Sequence, residues 1–349
     1  MKDRRNHLQR LQSTSVQSLS ATDSQRTLSI LDFSYVHDGA RLERFERKHN
    51  AVVEVETVTS SAEAIRRLNS DPVPDLAALG NYAVPKAISE DLLKPISIGQ
   101  ITGYESIFDQ LKRGYFERRA DVYAVPRSFG QTPLCYRTDR VSSPVTTWRA
   151  LWRGDIADPM FRDDAQLALA YATMDPKLPV TDISDGVETE TLRQTFIEML
   201  QEISQLWRTA DDSQLLFRRL SPVDAGPMWR FAAEKLRRMG EPIQIVRPEA
   251  GLKAWFIQFV RPAKSGADSL AREFIEAWFD SLGWDSLMQP RGIAIPSRKV
   301  FERYGANIEA YGLNEFEQFI EQPPLQQGTV RRCQQAWAHA KQVTGLDDE

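Results

Sequence analysis

The chain holds few residues placed for bond-making chemistry and several placed for binding. Its four histidines, His7, His37, His49 and His339, are scattered, and none has a credible acyl-transfer nucleophile beside it. The sequence contains no G-x-G pair, G-x-x-x-x-G-K, H-E-x-x-H, G-x-S-x-G or C-x-x-C. Dinucleotide, P-loop, zinc-protease, hydrolase and dithiol readings therefore fall away, and no enzyme, cofactor or metal is expected. Binding chemistry gathers instead in Asp121–Asp139, DVYAVPRSFGQTPLCYRTD, where two apolar runs flank a polar, aromatic centre. Val122–Val125 and Pro133–Tyr136 read as strand segments, and Pro126 with Gly130 should bar one regular element from running through. A chain that enters one body as a strand, bends and leaves as another makes a hinge. Arg127, Ser128, Phe129 and Gln131 would then lie on the floor of a cleft between two lobes.

The preceding segments supply one such lobe. Thr27–Val36 reads as a strand, and Asp38–His49 as a helix with Leu42 and Phe45 on one face. Ala51–Val58, Ser61–Leu68 and Pro74–Leu79 follow as strand, helix and strand, with a further helix after Tyr82. This βαβαβ spacing predicts a parallel sheet covered by helices, with ligands beyond the carboxyl ends of the strands. Phe33, Tyr35, Gly80, Asn81 and Tyr82 fall at or near those ends. Beyond the hinge, Phe161–Asp164 reads as a strand-end turn leading into an Ala-rich helix. Glu190–Trp207 shows apolar residues at steps of three and four, which predicts one amphipathic helix. Asp211–Leu220, the turn Ser221–Gly226 and a helix through Arg238 come next. Pro242–Val246 and Lys253–Val260 then read as a strand pair around RPEAG, followed by helices that include Ala271–Leu282 and Thr329–Gln342.

Composition agrees with this plan. With 349 residues, 42% of them hydrophobic, the chain suits two lobes, since single cores stop growing near roughly 250–300 residues. A net charge of −4 gives no basic footprint for nucleic acid. Cys135 and Cys333 are too few and too far apart for a disulfide scaffold or zinc site, so each is expected as a buried thiol. The N-terminal DRRNHLQR, Asp3–Arg10, looks like a twin-arginine export signal, yet the following LQSTSVQSLSATDSQ is too polar for a signal core. Residues 1–26 are thus expected to be a disordered leader or a degenerate export signal.

The order of landmarks resembles a known family. LSILDFSYV, PDLAALGNYAV with LLKPI, VYAVPRSFGQTPLCYRTDRV, TTWRALW, RDDA, and VRPEAGLKAWF leading to RGIAIPS are similar to the periplasmic solute-binding proteins of ABC transporters, in the spermidine/putrescine-binding branch. The resemblance implies an α/β, two-lobed type II periplasmic-binding-protein fold. Each lobe would be a mixed, mainly parallel sheet flanked by helices, and hinge strands would join the two. It places lobe 1 at residues 27–126, lobe 2 at 127–246 with crossings near 126–138 and 246–256, and a return to lobe 1 with C-terminal helices over 257–349. It implies a monomer in the periplasm that hands a small ligand to an ABC permease. The polar leader keeps open a cytoplasmic ligand sensor, and the scaffold alone does not exclude an enzyme.

Within that resemblance, Phe33, Tyr35, Tyr82, Phe129 and Trp255 stand at aromatic ligand positions, and Asp164 at a carboxylate that receives an amine. The acidic pattern departs at Leu167 and Ile257, where the family has carboxylates, and at Ile293, where it has a Tyr. Asp224 falls at a family Trp position and could supply one lost carboxylate. Arg127 and Arg247, on the crossing segments, suit a ligand with a carboxylate or phosphonate beside its amine. The ligand is thus either a polyamine or an amino-carboxylate or aminophosphonate. The same residues have plainer readings: strand-end core for Phe33, Phe129 and Trp255, a helix cap for Asp164, a turn for Asp224, ion pairs for the two arginines.

Overall fold

The computed structural model describes residues 25–33, 39–112, 117–118, 120–180, 186–280, 293–304, 319–320 and 324–347. The first lobe opens with β1 (Arg26–Phe33), α1 (Gly39–His49), β2 (Ala51–Val58), α2 (Ser61–Leu68), β3 (Leu76–Gly80) and α3 (Val84–Ser89). β1 runs parallel to β2 on one side and β3 on the other. Both faces of β1 are covered: Leu28 and Ile30 enter one apolar cluster, Leu31 and Phe33 another. That two-sided burial explains a strand that reads as a nearly unbroken apolar run. Ser60 caps α2 by accepting from the Glu63 amide at 3.2 Å, while the Glu63 carboxylate accepts from the Thr59 amide at 2.8 Å.

Short strands β4 (Leu93–Lys94), β5 (Glu117–Arg118) and β6 (Asp121–Val122) lead to β7 (Ala124–Thr132) and β8 (Leu134–Arg137). Contrary to the sequence expectation, β7 runs straight through Pro126 and Gly130. Its partner is the long β13 (Leu252–Pro262), and the ladder holds a bulge where Ser128 faces Ile257 but Pro126 faces Gln258. Arg127 is the extra residue, and this irregularity lets a proline stand inside the strand.

The second lobe contains β9 (Met160–Arg162), α4 (Ala165–Ala172), α5 (Thr189–Leu200), β10 (Gln205–Trp207), α6 (Ala210–Leu216), β11 (Ala225–Pro227), α7 (Arg230–Arg238) and β12 (Ile243–Val246). β8 lies between β11 and β12 in an antiparallel sheet, and β9 pairs in parallel with β10. The helix expected over Glu190–Trp207 therefore ends at Leu200. Ile203 follows in a turn, and Trp207 is a fully buried strand residue. Sheet pairing with β9 overrides an apolar spacing that continued at helical period by coincidence. Nor do the strands around RPEAG pair with each other. β12 adds to β8, while β13 adds to β7 and β3, so β7–β8 and β12–β13 each carry the chain between the lobes.

After β13 come α8 (Asp268–Phe279), α9 (Arg298–Tyr304), β14 (Phe319–Ile320) and α10 (Gln327–Thr344). α8 covers the first sheet, but Cys333, Ala336, Trp337 and Ala340 of α10 join the core of the second lobe against α4 and α5. The return to lobe 1 expected over 257–349 is thus interrupted by a helix that serves lobe 2. Cys135 and Cys333 are separate buried thiols in different clusters. Burial raises both thiol pKa values, that of Cys333 to about 11, so neither is a reactive thiolate near neutrality.

At the bulge, the Arg127 guanidinium meets the Asp32 carboxylate at 2.6 Å with both side chains buried. Breaking such a pair leaves an uncompensated buried charge, so Arg127→Met should cost about 3–5 kcal/mol. Urea unfolding should show the double variant Asp32→Leu/Arg127→Met to be much less destabilised than the sum of the single changes. Additive losses would show that the two groups do not act as a pair.

Candidate functional site

The carboxyl ends of the parallel strands from both lobes face each other. From the first lobe come Phe33 at the end of β1, Thr59–Ser61 after β2, and Gly80–Tyr82 at and after β3. From the second come Arg162–Asp164 after β9, Arg208 and Thr209 after β10, and Trp229 before α7. They enclose a cleft of about 1400 Å³ that leads to an inner chamber of about 120 Å³ bounded by Lys253, Trp255 and Ile257 of β13. Those three residues alternate along one strand and so share a face.

The walls are fixed by close packing. A Cβ on Gly130 would fall 2.2 Å from the Trp255 ring, so glycine in β7 is what lets that indole lie flat against the strand. Gly80 plays the same part for Tyr82, whose ring would be 2.7 Å from an added Cβ. The Ser61 hydroxyl accepts from the Gly80 amide at 2.9 Å, which ties the start of α2 to the end of β3. Opposite, Trp229 stacks on Phe231 at 5.6 Å and meets Trp207 edge-on at 5.3 Å. The Arg162 guanidinium lies 4.9 Å above the Trp229 ring, a cation–π contact that holds the charge at the cleft wall.

Two neighbouring carboxylates do different work. Asp164 caps α4, accepting from the Gln166 and Leu167 amides at 3.1 and 3.0 Å, and its second oxygen is 3.8 Å from Arg162. It remains part of the cleft wall, and burial together with its charge pushes the Tyr82 hydroxyl pKa up across the cleft. Ser61 and Arg162 offset part of that shift. Asp163 instead accepts from Trp337 Nε1 at 2.7 Å and Arg208 Nε at 2.8 Å, with Lys341 Nζ at 3.3 Å. Burial raises its pKa, but those hydrogen bonds and charges outweigh it and the net shift is downward.

Of the residues expected to bind ligand, Phe33, Asn81, Tyr82, Asp164 and Trp255 come together around the inner chamber. Tyr35 lies outside the described residues. Arg127 is corrected by its fully buried pair with Asp32, which turns it away from the cleft. Phe129 is buried against Phe256 at 6.4 Å in the core beneath the chamber. Asp224 lies 3.7 Å from Arg140 at the start of β11, and neither it nor the half-buried Arg247 lines the cleft. The aromatic wall from that part of the chain is Trp229, five residues beyond the position aligned across a loop. Arg162, Trp229 and Lys253 lie outside the sequence-based set. A signal existed for Lys253, because two-residue periodicity puts it beside Trp255.

No family model matches the sequence. The structure superposes on a spermidine/putrescine ABC transporter protein of Listeria monocytogenes with a TM-score of 0.77 at 16% identity, covering 91% of this chain and 99% of that one. It matches the spermidine/putrescine ABC transporter substrate-binding protein of Streptococcus pneumoniae with a TM-score of 0.74 at 18% identity, covering 91% and 99%. A binding protein from A. tumefaciens in complex with agropinic acid gives 0.66 at 14% identity, covering 92% and 99%. The architecture is therefore the mixed α/β, two-lobed type II periplasmic-binding-protein fold. The neighbours are solute-binding proteins of ABC transporters, and their ligands differ from one to the next.

Gly130→Ala should cost about 1–3 kcal/mol by overpacking against Trp255. Most of that cost should vanish in a Trp255→Ala background, measured as a double-mutant cycle in urea. An undiminished cost would place the constraint elsewhere. Asp163 has a lowered folded pKa, so its stabilisation is present above the ordinary aspartate value of about 3.9 and lost as pH falls through the lower folded value. Asp163→Asn should reduce stability at pH 7 and flatten the acid-side loss, as read from urea midpoints across pH 2–7.

Proposed function

We propose that this protein is the solute-binding component of an ABC importer that captures a small molecule carrying an amine beside a carboxylate or phosphonate. Charge carries the reading. Among the described residues, the inner chamber is lined by Arg162, Lys253 and one carboxylate, Asp164. Leu167 and Ile257, where the polyamine-binding resemblance implies carboxylates, both line the chamber and offer none. A diammonium ligand there would keep one charge unpaired, at a cost of several kcal/mol. An amine near Asp164 and among Phe33, Tyr82, Trp229 and Trp255, with an anionic group toward Arg162, suits this lining.

Capture would proceed by closure of the lobes about the two crossings, near residues 126–138 and 246–256, and a permease would read the closed form. Supporting this, the wall residues come from both lobes and Asp164 already influences Tyr82 across the gap. Periplasmic export belongs to the same reading. The polar stretch after Arg10 favours a second one, a cytoplasmic sensor on the same fold, and fractionation of the native host separates the two.

A thermal-shift screen of diamines, spermidine, ω-amino acids, opine-like amino-carboxylates and aminophosphonates tests the proposal. A true ligand at about 100 times its Kd adds roughly 2.7 kcal/mol and raises the Tm. Amino-carboxylates or aminophosphonates should shift the melt, and Trp229→Ala should weaken them about tenfold or more. Small-angle scattering should show compaction with the same compounds. Shifts with polyamines alone would overturn the ligand class.

A further inference from the structure

We infer that Arg162 is the specificity-determining residue of this cleft: a resident cation that stands where a diamine would need to place one of its ammonium groups, and so rejects diamines. The inference deepens the solute-binding reading above and rests on it. Arg162 is the last residue of β9 and pairs with Trp207 in the parallel ladder to β10. Side chains at one register position share a face of the pair, and the guanidinium lies 5.6 Å from the centre of the Trp207 ring. It lies 4.9 Å from the centre of the Trp229 ring. Phe231 stacks on that same indole and Trp207 meets it edge-on, so neighbouring rings fix Trp229 beside the guanidinium. The Asp164 oxygen that does not cap α4 stands 3.8 Å from Arg162, too far for a hydrogen bond but close enough for charge attraction.

An aromatic ring and a carboxylate are the two kinds of partner that hold an alkylammonium group. Here the protein's own guanidinium already stands against both. A second ammonium brought by the ligand would meet a like charge at Arg162, and Leu167 and Ile257 in the same chamber offer it no carboxylate. A carboxylate or phosphonate meets the opposite situation, because a planar guanidinium presents forked N–H donors that suit two oxygens at once. Arg162 lines both the inner chamber and the outer cleft, so such a group would be met where one opens into the other. Burial raises the Tyr82 hydroxyl pKa, Asp164 adds to that rise and Arg162 opposes it, so both charges are felt across the cleft by the first lobe. A zwitterion can answer that order of charge, with its amine at Asp164 and its anion at Arg162. A diamine can answer only half of it.

The test is calorimetric titration of full-length wild type, Arg162→Met and Arg162→Lys with γ-aminobutyrate, aminopropylphosphonate and putrescine. All three compounds have similar length and differ in the charge at one end. Unliganded melting curves establish that each variant folds, and Arg162→Gln carries the same prediction should Arg162→Met melt too early. Arg162→Met should weaken the two zwitterions about tenfold or more, or ~1.4 kcal/mol, and tighten putrescine by about tenfold. Arg162→Lys keeps the charge without the fork, so it should exclude putrescine to within about threefold of wild type while losing part of the zwitterion affinity. A purely structural arginine would weaken all three compounds together. Parallel losses in Arg162→Met therefore overturn the assignment, as does unchanged or weaker putrescine binding in that variant. If wild type takes putrescine as tightly as the zwitterions, the inference is wrong while solute binding stands. If none of the three binds wild type, the solute-binding reading fails and the inference fails with it.

Discussion

Asp32 and Arg127 bring opposite charges to 2.6 Å in the interior of the first lobe, and the strand that forms the cleft floor takes its geometry from that meeting. The Asp32 carboxylate also accepts from the Phe33 amide at 2.7 Å, at the end of β1. Arg127 donates to the Ser128 hydroxyl at 3.0 Å, lies 4.7 Å from the Trp278 ring centre, and its carbonyl accepts from Trp278 Nε1 at 2.7 Å. Desolvating two charges is expensive, and these added contacts are what make the arrangement tolerable. The bulge exists because Arg127 must leave the ladder to reach this partner. Once it does, Ser128, Phe129 and Gly130 are re-registered against β13, and Gly130 arrives beneath Trp255.

The charged side chains of the cleft are the second organising feature. Among the described residues, Lys86, Arg162, Arg208, Lys235, Arg238 and Lys341 line the outer cleft with Asp163, Asp164 and Asp211, and Asp163 is held by Trp337, Arg208 and Lys341. Aromatic surface thus sets the shape of what can be enclosed, and the placement of lysine, arginine and aspartate sets its electrical character.

Much of the fold was legible because it rests on local periodicity. The βαβαβ opening and the cap at Asp164 follow from patterns within a few dozen residues. The misreadings arose where distant partners decide. β7 looks broken at Pro126 and Gly130 until β13 supplies the bulge and Trp255. The helix ending at Leu200 looks longer until β9 claims Gln205–Trp207. Within the site, the strand-end residues Phe33, Asn81 and Tyr82 line the chamber. Arg127 was misplaced because sequence cannot show that Asp32, 95 residues earlier, reaches it first. Asp224 was misplaced because loop alignment cannot decide between it and Trp229.

The clasp of Asp163 by Trp337 and Lys341 reaches beyond the cleft, into how the chain is made. Each lobe is assembled from separated stretches: the first sheet needs β13, and the second core needs α10. During synthesis, β1–β3 can form early, but β7 waits for its partner across more than a hundred residues, and α4 and α5 keep an apolar face uncovered until Gln327–Thr344 has left the ribosome. Completion of both halves is therefore concentrated late in translation. An export route that carries folded cargo and one that carries unfolded chains would meet this protein in very different states, according to whether that final helix has docked.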